Sequence, residues 1–294
     1  MTNFPDSLVI IGAPRSGTNI LRDVLTSLQE FSTWPCDEIN FVWKHGNILH
    51  PYDDLPVEMV GERTSRFVRK QFKKLSSRTK ARYVVEKTCA NSLRLDYVDR
   101  IVPEAHYVLL VREGHDAVAS AKQRWEHPHA ASSYYLKKAR YIAPSDFLAV
   151  LWHTVQKRLG GSVLKEGAAW SSWGPVTAEI EGFIANGRSI AEISALQWAQ
   201  CVSSSLQFFE QLDHDRWIMV SYEDFVQRPE QEVKRILKML GTSVRYEVLT
   251  AACKKVDAGR VGKSGDLFSD EQLQRVNEIT EPVMLAMRDL QRSI

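Results

Sequence analysis

The sequence predicts an α/β fold in which a central parallel sheet is flanked by helices. Three observations predict it. Four short apolar runs, at residues 8–11 (LVII), 82–86 (RYVVE), 106–111 (HYVLLV) and 217–220 (WIMV), read as buried strands. Each is followed by polar or charged residues and then by helical periodicity, the alternation of a doubly wound sheet. The first run turns through a glycine-bearing loop, residues 12–18, into a helix marked by Ile20, Leu21, Val24, Leu25 and Leu28.

Strand, glycine loop, helix is the frame of a phosphate cradle. Glycines let the backbone bend around an anion, and the N–H groups at the helix start point at it. The spacing approaches the P-loop of nucleotide hydrolases, in which Gly-Lys-Ser/Thr closes the loop. Here Thr18 stands at the lysine position and Asn19 at that of the magnesium-binding hydroxyl. The cation comes earlier, as Arg15. Such a loop suits a phosphate-like group but lacks the usual metal-assisted grip on a β/γ-phosphate. A plain solvent turn would have no need of Arg15, Ser16 and Thr18 together.

The remaining elements follow in order. Residues 30–56 are irregular and rich in Trp, Pro, Asp and Asn, and include Trp34, Glu38 and Trp43. In a parallel α/β fold such a segment folds back over the carboxyl ends of the strands, where ligands sit. Residues 63–82 are basic, with Phe67, Val68, Phe72 and Leu75 interleaved, and read as an amphipathic helix. Its charged side is either a solvated face or a landing surface for an anionic acceptor. The second strand ends in Glu86-Lys87-Thr88, with a helix from Asn91. The third, almost wholly apolar and therefore central, ends at Arg112 and precedes a helix over residues 116–125.

Residues 126–188 break the alternation and read as a mostly helical insert. They contain His127, His129, Tyr134, Tyr135, Trp152, Trp170 and Trp173, with Trp125 just before them, and a helix is expected around 145–158. A long helix follows over residues 190–212, with Ala195, Trp198, Val202, Leu206 and Phe209 on one face. The fourth strand leads into Ser221-Tyr222-Glu223-Asp224-Phe225. Pro229 opens a further helix, a position that suits proline, and residues 270–290 form the last. Residues 259–266 (GRVGKSGD) make a second glycine-rich, basic loop. The whole, residues 1–294, is expected to be one domain with 126–188 inserted.

Composition narrows the function. The 294 residues are 44% hydrophobic and 25% charged, an ordinary globular balance. The net charge of +2 and the lack of an extended basic patch argue against nucleic acid as a partner. Cys36, Cys89, Cys201 and Cys253 have no metal-ligand spacing and read as reduced thiols. A strand begins by Ser7, leaving no room for a signal peptide, and no apolar run approaches a membrane span. A cytoplasmic, metal-independent protein is expected, with a homodimer as one open option.

The Arg15 cradle, Lys87, Arg112 with Ser120, Tyr222 and the 259–266 loop form one pattern. GAPRSGTNIL, VLLVREGHDAVASAKQRW and VSYEDF resemble, respectively, the 5′-phosphosulfate loop, the 3′-phosphate segment and the fourth-strand element of PAPS-dependent sulfotransferases, particularly the bacterial and carbohydrate-type members. The resemblance runs over residues 7–125 and 190–270 and is poor over 126–188. It implies a P-loop-like fold, PAPS as co-substrate, PAP as product and no metal. The cradle would bind through Arg15, Ser16, Gly17, Thr18 and Asn19, and the 3′-phosphate through Arg112 and Ser120, with Arg124 in reach. Tyr222 would approach the adenine or ribose. Arg260 and Gly262 match the basic C-terminal loop of the family. Val261 and Leu267 depart from it, and Lys263 is the substitute cation.

On this resemblance Arg15 and the cradle stabilise the leaving phosphate and Lys87 is the second cation. Glu38, Glu86 and His115 are candidates for the base. Relatives with a glutamate in the loop after the cradle helix favour Glu38, whose pKa burial would have to raise. The acceptor would be a carbohydrate or lipid-linked glycan. An ATP-dependent kinase and a non-catalytic nucleotide-binding protein are the alternatives.

Overall fold

The computed structural model describes residues 4–126, 138, 140–152, 174–257, 259, 262 and 267–294. Five parallel strands, β1 (Asp6–Ile11), β2 (Phe31–Ser32), β3 (Tyr83–Lys87), β4 (His106–Val111) and β5 (Trp217–Ser221), form one sheet in the order β2-β3-β1-β4-β5. All strand ends of one kind therefore lie along one edge. After β1 the chain builds β2 and β3 on one side and then crosses to β4 and β5 on the other, which makes the carboxyl end of β1 a topological switch point.

The helices are α1 (Thr18–Thr26), α2 (Asn40–Trp43), α3 (Glu62–Thr79), α4 (Leu95–Ile101), α5 (Gly114–Glu126), α6 (Ala178–Ala185), α7 (Ile190–Phe209), α8 (Tyr222–Gln227), α9 (Pro229–Met239), α10 (Tyr246–Cys253) and α11 (Asp270–Ser293). They cover both faces of the sheet. Along β1, Val9 and Ile11 join a core with Val68 and Phe72 of α3, Trp198 and Val202 of α7 and Met284 of α11. Leu8 and Ile10 point the other way, to Leu21 and Leu25 of α1, Phe225 of α8 and Ile236 of α9. The period of two along a strand thus feeds two separate cores, so a central strand reads as an uninterrupted apolar run.

The four expected strands and the helices they lead into are present. The differences have physical causes. β2 is only two residues long, too short for a period, and is fixed by the Phe31 ring stacked on Tyr83 at 4.8 Å. β3 is shifted by one residue: Arg82 stays exposed beside Asp6, and Lys87 takes the last position, opposite Ile10 of β1. No helix starts at Asn91, because its side chain donates to Glu86 and accepts from Arg94, which holds Cys89–Leu93 in a tight 3-10 turn. Residues 222–227 and 246–253 are further helices.

The described ends of the 126–188 segment are tied to residues 45–53. His45 Nδ1 lies 2.7 Å from Asp146 Oδ2. Asp53 and Val176 exchange two bonds: the Asp53 N–H donates to the Val176 carbonyl, and the Val176 N–H to the Asp53 carboxylate. Trp152 is exposed, while His127, His129, Tyr134, Tyr135, Trp170 and Trp173 lie outside the described residues. No helix among the described residues is long and apolar enough to cross a membrane.

Gly12 marks how tightly the loop after β1 is set into the sheet. A Cβ built there would lie 2.6 Å from the Leu110 carbonyl oxygen and 2.9 Å from Thr18 Cγ2. Gly12→Ala is therefore expected to cost about 3 kcal/mol, the upper range for overpacking, read as a lower midpoint in urea unfolding.

Candidate active site

The loop between β1 and α1 opens the site. Gly17 precedes α1 with φ +87°, and Arg15 has φ +71°. A side chain at positive φ is uncommon outside glycine and signals a backbone held by its surroundings. No side chain caps α1 and no acidic residue lies in its first turn. The first N–H groups of the helix thus face the loop without a capping side chain, the arrangement that receives an anion. Ser16 is fully buried, and its hydroxyl has no hydrogen-bond partner among the described residues. Thr18 turns its hydroxyl inward, 3.9 Å from Cys89 Sγ. Asn19 is exposed, and its Oδ1 accepts from Arg22 Nη1 at 3.3 Å.

β4 delivers the second cation to the same place. Arg112 Nη1 donates to the Arg15 carbonyl at 2.9 Å, and Arg15 Nε donates to Ser120 Oγ at 3.1 Å across the cleft. Arg15, Arg112 and Ser120 are thus adjacent, at the switch point of the sheet. Tyr222 lies beneath them. Its ring is buried, carries the Arg112 guanidinium at 4.4 Å and fills the space a Cβ on Gly17 would need, 2.4 Å away. The resemblance offers this ring to a nucleotide; in the fold it also forms the floor on which the loop and Arg112 rest.

The 259–266 loop reaches the site through Gly262, whose N–H donates to Asp116 Oδ2 at 2.8 Å. Asp116 also lies 3.8 Å from Arg112. Arg260 and Lys263 lie outside the described residues.

Next to the loop, at the end of β3, Lys87 Nζ donates to Glu38 Oε1 at 3.0 Å, and the Cys89 N–H donates to the same oxygen at 3.2 Å. Burial pushes the Glu38 carboxyl up, but the charges of Lys87 and Lys138 and these hydrogen bonds outweigh it and hold the pKa down at about 2. The shift is opposite to the one expected of a base raised by burial, because the partner supplied by β3 is a cation. Burial alone would discharge Lys87; Glu38 more than restores its charge. Burial lowers the pKa of Lys138.

Glu86, one residue before Lys87, faces the other way. It is fully buried and accepts from Trp43 Nε1 at 3.1 Å, Thr88 Oγ1 at 2.5 Å and Asn91 Nδ2 at 2.9 Å. Burial raises its pKa. It pairs with neither Lys87 nor Arg15 and serves as an anchor for the 40–43 and 88–91 turns. His115 bonds Asn277 of α11 through Nε2. Of the three candidates for the base, Glu38 alone is both bonded to Lys87 and part-exposed, with 23% of its side chain accessible.

Three positioning residues escaped sequence reasoning. Arg22 of α1 bonds the Asp37 carbonyl and carboxylate, which ties the Glu38 loop to the cradle helix. Asp116 joins the C-terminal loop to α5. Lys138 adds charge beside Glu38. Arg22 and Asp116 sit in helices where an isolated charge reads as solvated, and Lys138 lies in a segment without clear periodicity.

The chain matches the model of the sulfotransferase family over residues 6–159 and 176–248. The match continues through most of the segment that reads as an insert. No curated protein sequence matches the chain. Among solved structures, the sulfotransferase domain from the curacin biosynthetic pathway is similar with a TM-score of 0.53 at 14% identity, covering 94% of this chain and 98% of that one. A sulfotransferase from Alicyclobacillus acidocaldarius gives 0.53 at 15% identity, covering 98% and 96%. Mouse sulfotransferase SULT7A1, in a structure complexed with PAP, gives 0.50 at 12% identity, covering 96% and 88%. These structural likenesses concern the fold; the family follows from the sequence match. With that match spanning most of its length, the chain belongs to the sulfotransferase family.

Proposed function

We propose that the protein transfers the sulfuryl group of PAPS to a hydroxyl or amine of an acceptor, a carbohydrate or lipid-linked glycan, and releases PAP. The observation that carries the reading is the meeting of Arg15, Arg112 and Ser120 at one strand-end cleft, beside the Lys87–Glu38 pair. A nucleotide with a phosphosulfate at one end and a 3′-phosphate at the other needs two cationic grips a short distance apart. The Arg15 loop suits the first. Arg112 and Ser120 suit the second, and the guanidinium fork matches a phosphate. The buried, unpartnered Ser16 hydroxyl supports an anion at the loop. We read residues 1–294 as one sulfotransferase domain, with 126–188 covering the acceptor side.

In the proposed reaction the acceptor oxygen attacks sulfur in line, the bond from sulfur to the 5′-phosphate oxygen breaks, and the acceptor proton passes to Glu38. Arg15, the loop N–H groups and Lys87 neutralise charge on the leaving phosphate. Lys87 therefore has two tasks. Without donor it holds Glu38 ionised but weakly basic. When donor draws the ammonium away, Glu38 regains basicity next to the acceptor. Base strength is thereby tied to donor binding.

Three outcomes are expected. PAP raises the melting temperature, whereas ATP with magnesium does not; the reverse result would favour a kinase. Arg112→Lys keeps the charge but loses the fork, and narrows the preference for PAP over AMP, which lacks the 3′-phosphate, by about tenfold in calorimetry. Glu38→Gln lowers turnover by about 10²–10⁴-fold and leaves PAP affinity nearly intact; unchanged turnover would move the base elsewhere. The pH dependence has a defined sign. Because Glu38 sits at about 2 in the free protein against an ordinary 4.5, its pairing stabilises the fold above pH 4.5. That contribution is lost as pH falls toward 2. The acid limb of kcat/KM should accordingly lie below that of kcat, where donor occupies the site.

A further inference from the structure

A groove of about 480 Å³ lies between α3 and residues 140–144, a volume suited to a small organic molecule. Two chemistries line it. Trp34, Phe67 and Tyr141 give apolar, mostly aromatic walls, and Lys74, Arg78 and Arg140 give three cations. No Asp or Glu is among its described lining residues. Phe67, Lys74 and Arg78 recur at helical spacing, so one stripe of α3 faces the groove. Two other cations of this helix have carboxylate partners: Arg66 is paired with Glu62, and Arg69 with Glu104 at 2.7 Å. Lys74 and Arg78, one turn apart, repel each other without a nearby anion.

Two of the segments that line the groove lead to the reacting pair. Trp34 begins the loop that carries Glu38. Arg140 follows two residues after Lys138, whose charge acts on Glu38 and Lys87. A molecule lying in the groove would thus extend toward the Glu38 carboxylate along both segments. We propose that this groove holds the acceptor, and that the acceptor is a soluble anionic amphiphile. An apolar, ring-sized part packs on Trp34, Phe67 and Tyr141, and a carboxylate, sulfate or phosphate meets Lys74, Arg78 and Arg140. This inference rests on the sulfotransferase reading of the donor site; for the acceptor it replaces the carbohydrate or lipid-linked glycan with a soluble anion of stated shape.

The test uses the full chain and three probes in calorimetry, 2-naphthoate, neutral 2-naphthalenemethanol and inorganic phosphate, each with and without PAP. Naphthoate is expected to bind at least about tenfold more tightly than either of the others, since one needs the cations and the other the aromatic walls. Arg78→Glu and Arg140→Ala, both at exposed positions, should each weaken naphthoate by about tenfold or more. The melting shift produced by PAP should stay unchanged in both. As acceptors, 6-hydroxy-2-naphthoate should show a KM about tenfold below that of 2-naphthol in the wild type, with the difference lost in Arg78→Glu. Equal affinity for the neutral alcohol, indifference to Arg78→Glu, or preference for vesicles of anionic lipid over free naphthoate would overturn the proposal. Absence of a PAP shift in the wild type would instead overturn the donor reading, so the two failures are separable.

Discussion

The site depends on one contact: the Arg112 guanidinium bonded to the Arg15 carbonyl above the Tyr222 ring. It joins the carboxyl ends of β1 and β4, the two strands that flank the switch point. Tyr222, at the end of β5, supports both from below. The carbonyl belongs to a residue with positive φ, a backbone held by its surroundings. Arg112 satisfies it and in doing so is itself fixed in orientation. The loop, the neighbouring strand and the floor beneath them are therefore specified together, and a cleft with two cationic grips is preformed.

The second grip on the chemistry is the Glu38–Lys87 pair. An unpaired charge in such a place would be costly, and the pair offsets its own desolvation only through good geometry and extra hydrogen bonds. Here the Cys89 N–H supplies one. Arg22 and Asp37 supply the setting by clamping the loop that carries Glu38 to α1. The helix that follows the cradle loop also positions the carboxylate, so on the proposed reading donor and acceptor sides share one rigid element. On the proposed reading this sharing keeps acceptor deprotonation in step with donor binding.

Much of this was legible in the sequence, for identifiable reasons. A strand buried on both faces must be apolar throughout, so β1 and β4 stood out, and the loop after β1 announced itself by glycines around a cation. What depended on pairing between distant residues did not. Nothing local distinguishes Arg82 from Lys87 as the residue inside the sheet; that follows from register against β1. Nothing near Glu38 indicates that its neighbour in space is a lysine 49 residues on, which reverses the direction of its pKa shift. Tyr222 taken alone reads as a packed aromatic, and its packing partner, Gly17, is 205 residues away and invisible locally.

The stitches between the 126–188 segment and residues 45–53 carry a consequence of a different kind. Asp146 and Val176 are both sewn to the stretch that follows Glu38, one through His45 and the other through Asp53. The segment is thus secured at two interior points, while the proposed donor cleft is built from other parts of the chain. On the proposed reading, length and composition between the two seams can change without touching the residues of the donor cleft. On that reading a lineage could retune its acceptor through this panel and the groove beside it, with the donor side of the garment left uncut.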